Sequence, residues 1–180
     1  MNDMRNDLLH TVDRICDEHC PKPVRESAEA GMWPAALWQA LEEVGLTRAA
    51  LPEAAGGPGL AFEEAMLALR RSAYHALPLP LAETMLAGGL LAAAGMTVPQ
   101  GALTVAPVRH GEVLKFVHSA AGTTLSGSAQ RVPWGNLCAH AVVAGNVDGK
   151  GMLGLVSTFG AVRGTEKNLA GEPRALLEFD

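Results

Sequence analysis

The chain has 180 residues, 14 Lys+Arg against 19 Asp+Glu, a net charge of −5 and 48% apolar residues. That apolar share supports a buried core and excludes general disorder. Neither half is basic enough for nucleic-acid binding, and no apolar run is long enough for a membrane span.

The N-terminal stretch MNDMRNDLLHTVDRICDEHC carries acids throughout and lacks the apolar centre of a secretory signal. Leu8, Val12, Ile15, Cys16 and His19 follow a 3.6-residue period and predict a helix, which Pro21 and Pro23 break. The three cysteines, Cys16, Cys20 and Cys138, show no disulfide rhythm and fit a reducing, cytoplasmic setting. Cys16, His19 and Cys20 share one turn. No further ligand lies nearby in sequence, so a thiol-bearing helix face is expected and a metal site is not.

Trp33, Leu37, Leu41 and Val44 predict a second helix, with Pro34 in its first turn and Gly45 at its C-terminal cap. A Gly56-Gly57-Pro58-Gly59 turn then opens a third, striped by Phe62, Met66, Leu69 and Ala73. A glycine turn before a helix can cradle phosphate. This one follows a helix rather than a strand, loses a donor at Pro58 and lacks a lysine, so it is read as a turn between helices. A fourth helix runs to about Ala94, closed by Gly95. Its Gly88 and Gly89 lower helix propensity and are expected to admit a close neighbour.

Beyond Pro99 the period changes to short β-branched or alternating runs: ALTVAPV, EVLKFVHS, GTTLSGSAQRV, HAVVAGNV, GMLGLVS and RALLEFD. Turn signals separate them. The fold class expected is α+β and multi-domain, with an all-α bundle over residues 1–98. An antiparallel β-sandwich or barrel-like domain follows over 99–180.

Several stretches together resemble one family. The run from Leu37 to Leu91 holds Gly45-Leu46, Pro52-Glu53, the Gly56–Gly59 turn, the acid pair Glu63-Glu64 and a Pro78-to-Glu83 turn. It resembles the N-terminal helical domain of flavin-dependent acyl-CoA dehydrogenases. LSGSAQRVPWGNLCAHAVVAG and the terminal RALLEFD are similar to strands of that family's middle domain.

The resemblance implies FAD as cofactor, an acyl-CoA thioester as substrate, and α,β-oxidation as reaction. A carboxylate removes the α-proton while the β-hydrogen leaves as hydride to the flavin. The family's base is a glutamate of a C-terminal helical domain, and this sequence ends at Asp180 within its β part. None of its own residues is therefore expected to be catalytic. Glu53, Glu63, Glu64, Glu83, Glu112, Glu166, Glu172 and Glu178 are read as surface acids.

The family's first flavin segment falls on Val105-Ala106-Pro107, where a threonine hydroxyl is missing. Main-chain groups of Val105 and Pro107 remain as contacts. The second segment falls on Arg131, Val132 and Pro133, and proline cannot donate to the flavin edge. Trp134 lies one residue beyond, as a ring cover or a half-buried indole. Arg131 is a phosphate partner or a surface arginine. His110, His118, Ser126 and Ser128 lack the context of a hydrolase or a metal site.

Three readings follow from the resemblance. The chain is the front portion of an acyl-CoA dehydrogenase, a non-catalytic subunit of a heteromeric one, or a structural remnant that oligomerises. Each implies a homo- or hetero-oligomer with acyl-CoA dehydrogenase-like subunits.

Overall fold

The computed structural model describes residues 2–107, 112–119, 122–147 and 150–180. Two compact units divide the chain, Met1–Gly89 and Leu90–Asp180.

The first unit is helical. Helix α1 (Asn2–His19) buries Val12, Ile15 and Cys16. Pro21 and Pro23 do end α1, but they also open a helix that the sequence reading passed over, α2 (Lys22–Glu29). Prolines fit there because the first helical N–H groups have no intrahelical acceptor. Helix α3 (Ala35–Glu43) buries Leu37, Trp38 and Leu41 and gives way to Gly45 at φ 75°. Two short 3-10 turns, Leu46–Arg48 and Glu53–Ala55, lead to α4 (Phe62–Tyr74).

The buried face of α4 is Ala65, Ala68 and Ser72, while Phe62 is 72% exposed. The apolar stripe read from sequence is thus offset by about one position. Small side chains mark the face of closest packing, and Met66 and Leu69 flank it. Helix α5 (Leu81–Ala93) is followed by Gly95 at φ 68°. A Cβ added at Gly89 would meet nothing within 4 Å among the described residues, so no close neighbour among them explains that glycine.

The glycine turn before α4 is structural. Arg48 donates from Nε to the Gly56 carbonyl (3.0 Å) and from Nη2 to the Ala55 carbonyl (3.1 Å). A Cβ at Gly57 would fall 2.1 Å from the Leu51 carbonyl oxygen. The turn therefore presents carbonyls to a cation and packs its backbone against its neighbour.

One polar cluster ties α1 to α4. Asp13 accepts from two guanidinium nitrogens of Arg71, Nε and Nη2, the latter at 2.8 Å, and faces His75 Nε2 at 2.8 Å. The Arg71 hydrogen bond above all, with help from His75, holds the Asp13 carboxyl down to about 2 against the opposing effect of burial. A depressed carboxyl stabilises the fold above the ordinary carboxylate range, and the contribution fades as pH falls through about 2. Asp13→Asn is therefore expected to lower stability at pH 7 by about 1.5–3 kcal/mol. The gap between variant and parent should narrow from pH 4 toward pH 2 in melting curves. A gap that stays constant over that range would refute the assignment.

Among the described residues the second unit holds seven strands: β1 (Leu103–Ala106), β2 (Lys115–Ser119), β3 (Gly122–Pro133), β4 (His140–Val147), β5 (Lys150–Ser157), β6 (Val162–Lys167) and β7 (Pro173–Phe179). The order is β1-β4-β2-β3-β7-β6, with β5 also on β4. The α+β class stands, but the sheet is mixed where an antiparallel one was expected. β1 pairs parallel with β4 from Leu103↔His140 to Ala106↔Val143, and β2 meets β4 in parallel at Lys115↔Asn146. The β2–β3 hairpin lies between β1 and β4 in sequence and gives the chain the length a parallel return needs.

β3 is long enough to serve two partners. Its first part pairs with β2 and its second with β7. The core gathers Leu114, Phe116, Leu125, Ala129, Val132, Ala141, Val143, Ala175 and Leu177. Strand β6 has no buried residue, as befits a sheet edge.

Candidate functional site

The two segments singled out by resemblance lie at the end of β1 and the end of β3. Val105 is half-buried and pairs with Val142; Pro107 is exposed just past the strand. Thr104, fully buried, donates its hydroxyl to the Pro133 carbonyl at 2.5 Å. That bond brings the two segments together within one unit. Thr104 was not singled out in the sequence. Alternation along β1 sets it on the opposite side from Val105.

The end of β3 is irregular. Its register against β7 steps from Ala129↔Leu177 to Val132↔Ala175, which inserts one extra residue on the β3 side. Such a bulge bends the strand and re-aims its side chains. Glu112 accepts the Gln130 N–H at 3.2 Å within the bulge. Arg131 and Trp134 both take left-handed backbone, at φ 55° and φ 54°. For residues with a Cβ each costs on the order of 1 kcal/mol or more, and persists only when the surroundings fix it.

The surroundings do so. Trp134 donates its N–H to the Pro173 carbonyl (3.0 Å), and its own carbonyl accepts from Leu137 and Cys138 at 2.9 and 3.0 Å. Beyond it, buried Thr158 donates to the Cys138 carbonyl. Trp134 is only 5% exposed, so its indole is structural packing more than an open ring cover. Val132 is fully buried, Pro133 half-buried and Arg131 exposed. No hydrogen-bond or ion-pair partner of the Arg131 side chain is found among the described residues.

A flavin ring edge asks for N–H or O–H donors. Pro133 has none, the Trp134 N–H is bonded to Pro173, and the Gly135 N–H reaches the Val132 carbonyl at 3.4 Å. The Thr104 hydroxyl is spent on Pro133. The main chain at residues 133–135 therefore leaves no free donor for a flavin ring edge. What the corner offers is apolar surface and one exposed guanidinium.

The remaining candidates are dispersed. Cys16 and Cys20 are buried free thiols, and burial, then Cys20 and the acids beside it, push the Cys16 thiol up to about 12. Among the described residues no group of three or more His, Cys, Asp or Glu is placed to hold a metal. His118 is exposed with Nδ1 2.7 Å from the Thr123 hydroxyl, and His110 lies outside the described residues. Several acids have structural partners: Glu64 caps the Ala61 N–H at 3.1 Å, Glu172 accepts from Asn168 and Arg174, and Glu178 pairs with Arg163. No helix among the described residues is long and apolar enough to cross a membrane.

A helical unit is followed along the chain by a mixed-sheet unit. The family model described as "Acyl-CoA dehydrogenase, N-terminal domain" matches residues 2–98, and the chain belongs to the acyl-CoA dehydrogenase family. No curated protein sequence matches it significantly.

Solved structures share the fold at low identity. The Tcur3481–Tcur3483 steroid ACAD variant aligns at TM-score 0.81 and 24% identity, covering 99% of this chain and 55% of that one. Butyryl-CoA dehydrogenase from Megasphaera elsdenii aligns at 0.78 and 17%, covering 100% and 56%. The ChsE4–ChsE5 complex from Mycobacterium tuberculosis aligns at 0.74 and 22%, covering 98% and 53%. The chain thus spans about half the length of the solved chains it matches.

Proposed function

We propose that the chain is part of an acyl-CoA dehydrogenase-type assembly that oxidises an acyl-CoA thioester at Cα–Cβ with FAD. The single observation behind this is the family match over residues 2–98 combined with a whole-chain fold likeness to acyl-CoA dehydrogenases. The chain, as a helical domain over 1–98 and a β-domain over 99–180, supplies scaffold for the acyl and flavin sites. The proton-abstracting carboxylate comes from polypeptide outside these residues. Val105, Pro107, Arg131, Val132, Pro133 and Trp134 are the positions nearest any flavin, as surface and as a cation for its phosphates.

A heteromeric version of this reading is favoured by the spent donors at the β3 corner. One of the solved relatives is itself described as a complex of two proteins. In that version the partner is an acyl-CoA dehydrogenase-like subunit carrying the base and the donors for the flavin edge.

Copurification of the untagged chain from its host tests both. The expected result is a yellow assembly with flavin absorbance and a native mass above that of the 18.8 kDa chain. A colourless assembly with no bound flavin would overturn the FAD reading. Rapid turnover of an acyl-CoA by the isolated chain would overturn the placement of the base.

A further inference from the structure

The corner at the end of β3 is held from three sides. Thr104 of β1 bonds the Pro133 carbonyl, Glu112 bonds the Gln130 N–H, and the Pro173 carbonyl receives the Trp134 N–H. Two residues with side chains sit in left-handed backbone inside this bracket, Arg131 and Trp134. Of the three ties, the Thr104 hydroxyl is the most deeply placed, since the residue is fully buried. It is also the one that links β1 to β3 across a gap where no strand pairing is found among the described residues.

We infer that Thr104 is the positioning residue that keeps this corner closed on itself. Its hydroxyl occupies the Pro133 carbonyl and fixes a shape whose main-chain donors at residues 133–135 are all absent or spent. Any flavin in the assembly is then hydrogen-bonded at its ring edge by groups other than the main chain at 133–135. This rests on the flavin reading above for its consequence but not for its geometry.

The argument is one of satisfaction. A buried hydroxyl needs an acceptor, and the half-buried Pro133 offers its carbonyl as one. Thr104 and Pro133 meet that need without a ligand. Opening the corner to a ligand would leave Thr104 without an acceptor in the interior.

The test uses amide exchange on the copurified assembly. Thr104→Val keeps the shape of the side chain and removes the donor; Thr104→Ser keeps the donor. Thr104→Val is expected to speed exchange at Trp134, Leu137 and Cys138 roughly tenfold while α1 and α4 stay unchanged, and Thr104→Ser should restore the parent rates. Unchanged exchange in Thr104→Val, or Thr104→Ser behaving like Thr104→Val, would overturn the positioning role.

A second arm compares the parent assembly with and without added FAD. Corner amides are expected to exchange at the same rates in both. A slowing of about tenfold or more at Trp134 to Cys138 on FAD binding would overturn the claim that the ring edge is held elsewhere. An assembly that takes up no FAD would sink the flavin reading, and the Thr104 variants would still decide the corner.

Discussion

Gly127→Ala is expected to destabilise the strand-bearing unit by about 3 kcal/mol or more. Two costs coincide at this position. Gly127 has φ 119°, a conformation that residues with a Cβ rarely adopt. An added Cβ would also lie 2.3 Å from the Val113 carbonyl oxygen, which is backbone and has little freedom to retreat. The position matters because β3 changes partner here: Ser126 faces Lys115 of β2, and Gly127 faces Phe179 of β7. Distortion at the hand-over therefore strains both ladders. Gly151→Ala is the control, because a Cβ there meets nothing within 4 Å and no positive φ is involved. Urea midpoints of the two variants decide the matter. A Gly127→Ala protein within about 0.5 kcal/mol of the parent would show that the crossing of β3 over Val113 is misread.

The elements that the sequence revealed are those whose burial is one-sided and whose ends carry a distinct residue. Helix α3 shows this, with Leu37 and Leu41 buried and Gly45 in left-handed backbone just beyond it. Besides α2, what it hid falls into three kinds. β6, Val-Arg-Gly-Thr-Glu-Lys, has no apolar alternation because an edge strand with no buried residue needs none. The buried face of α4 lies about one position from the stripe of Phe62, Met66, Leu69 and Ala73, because close packing selects the small residues Ala65, Ala68 and Ser72 over the large apolar ones. Parallel pairing of β1 with β4 leaves no mark in either strand's own pattern, since alternation reports faces and not partners.

The candidate site divides in the same way. The segments around Val105 and Pro133 are singled out by family resemblance alone, and their missing hydroxyl and N–H are visible in the letters. Their meeting through Thr104 was not, because nothing in Leu-Thr-Val-Ala says which strand end a buried threonine faces. The bulge at Gln130 and Arg131 was equally silent. A glycine there would have signalled left-handed backbone; an arginine in that conformation gives no such cue. The chain spends its polar groups on its own corner, a pairing that only the folded arrangement of β1 and β3 creates.

Phe116→Ala is expected to cost about 3–5 kcal/mol, the range for deleting a buried aromatic ring. Phe116 is 7% exposed and belongs to the core of the strand-bearing unit. Its ring lies against two glycines on adjacent strands. A Cβ at Gly154 would stand 2.5 Å from Phe116 Cζ, and one at Gly145 would stand 2.9 Å from Cδ2. The absence of side chains at those two positions makes the room the ring fills. Gly154→Ala alone should then cost about 1–3 kcal/mol by overpacking. Combined with Phe116→Leu, which withdraws the far end of the ring, the same Gly154→Ala change should lose most of its cost. A double-mutant cycle on denaturant midpoints is expected to return a coupling of about 1 kcal/mol or more, favouring the pair over the sum of its parts. Strict additivity would mean that the ring does not fill the space above Gly154, and the core would have to be packed from some other contact.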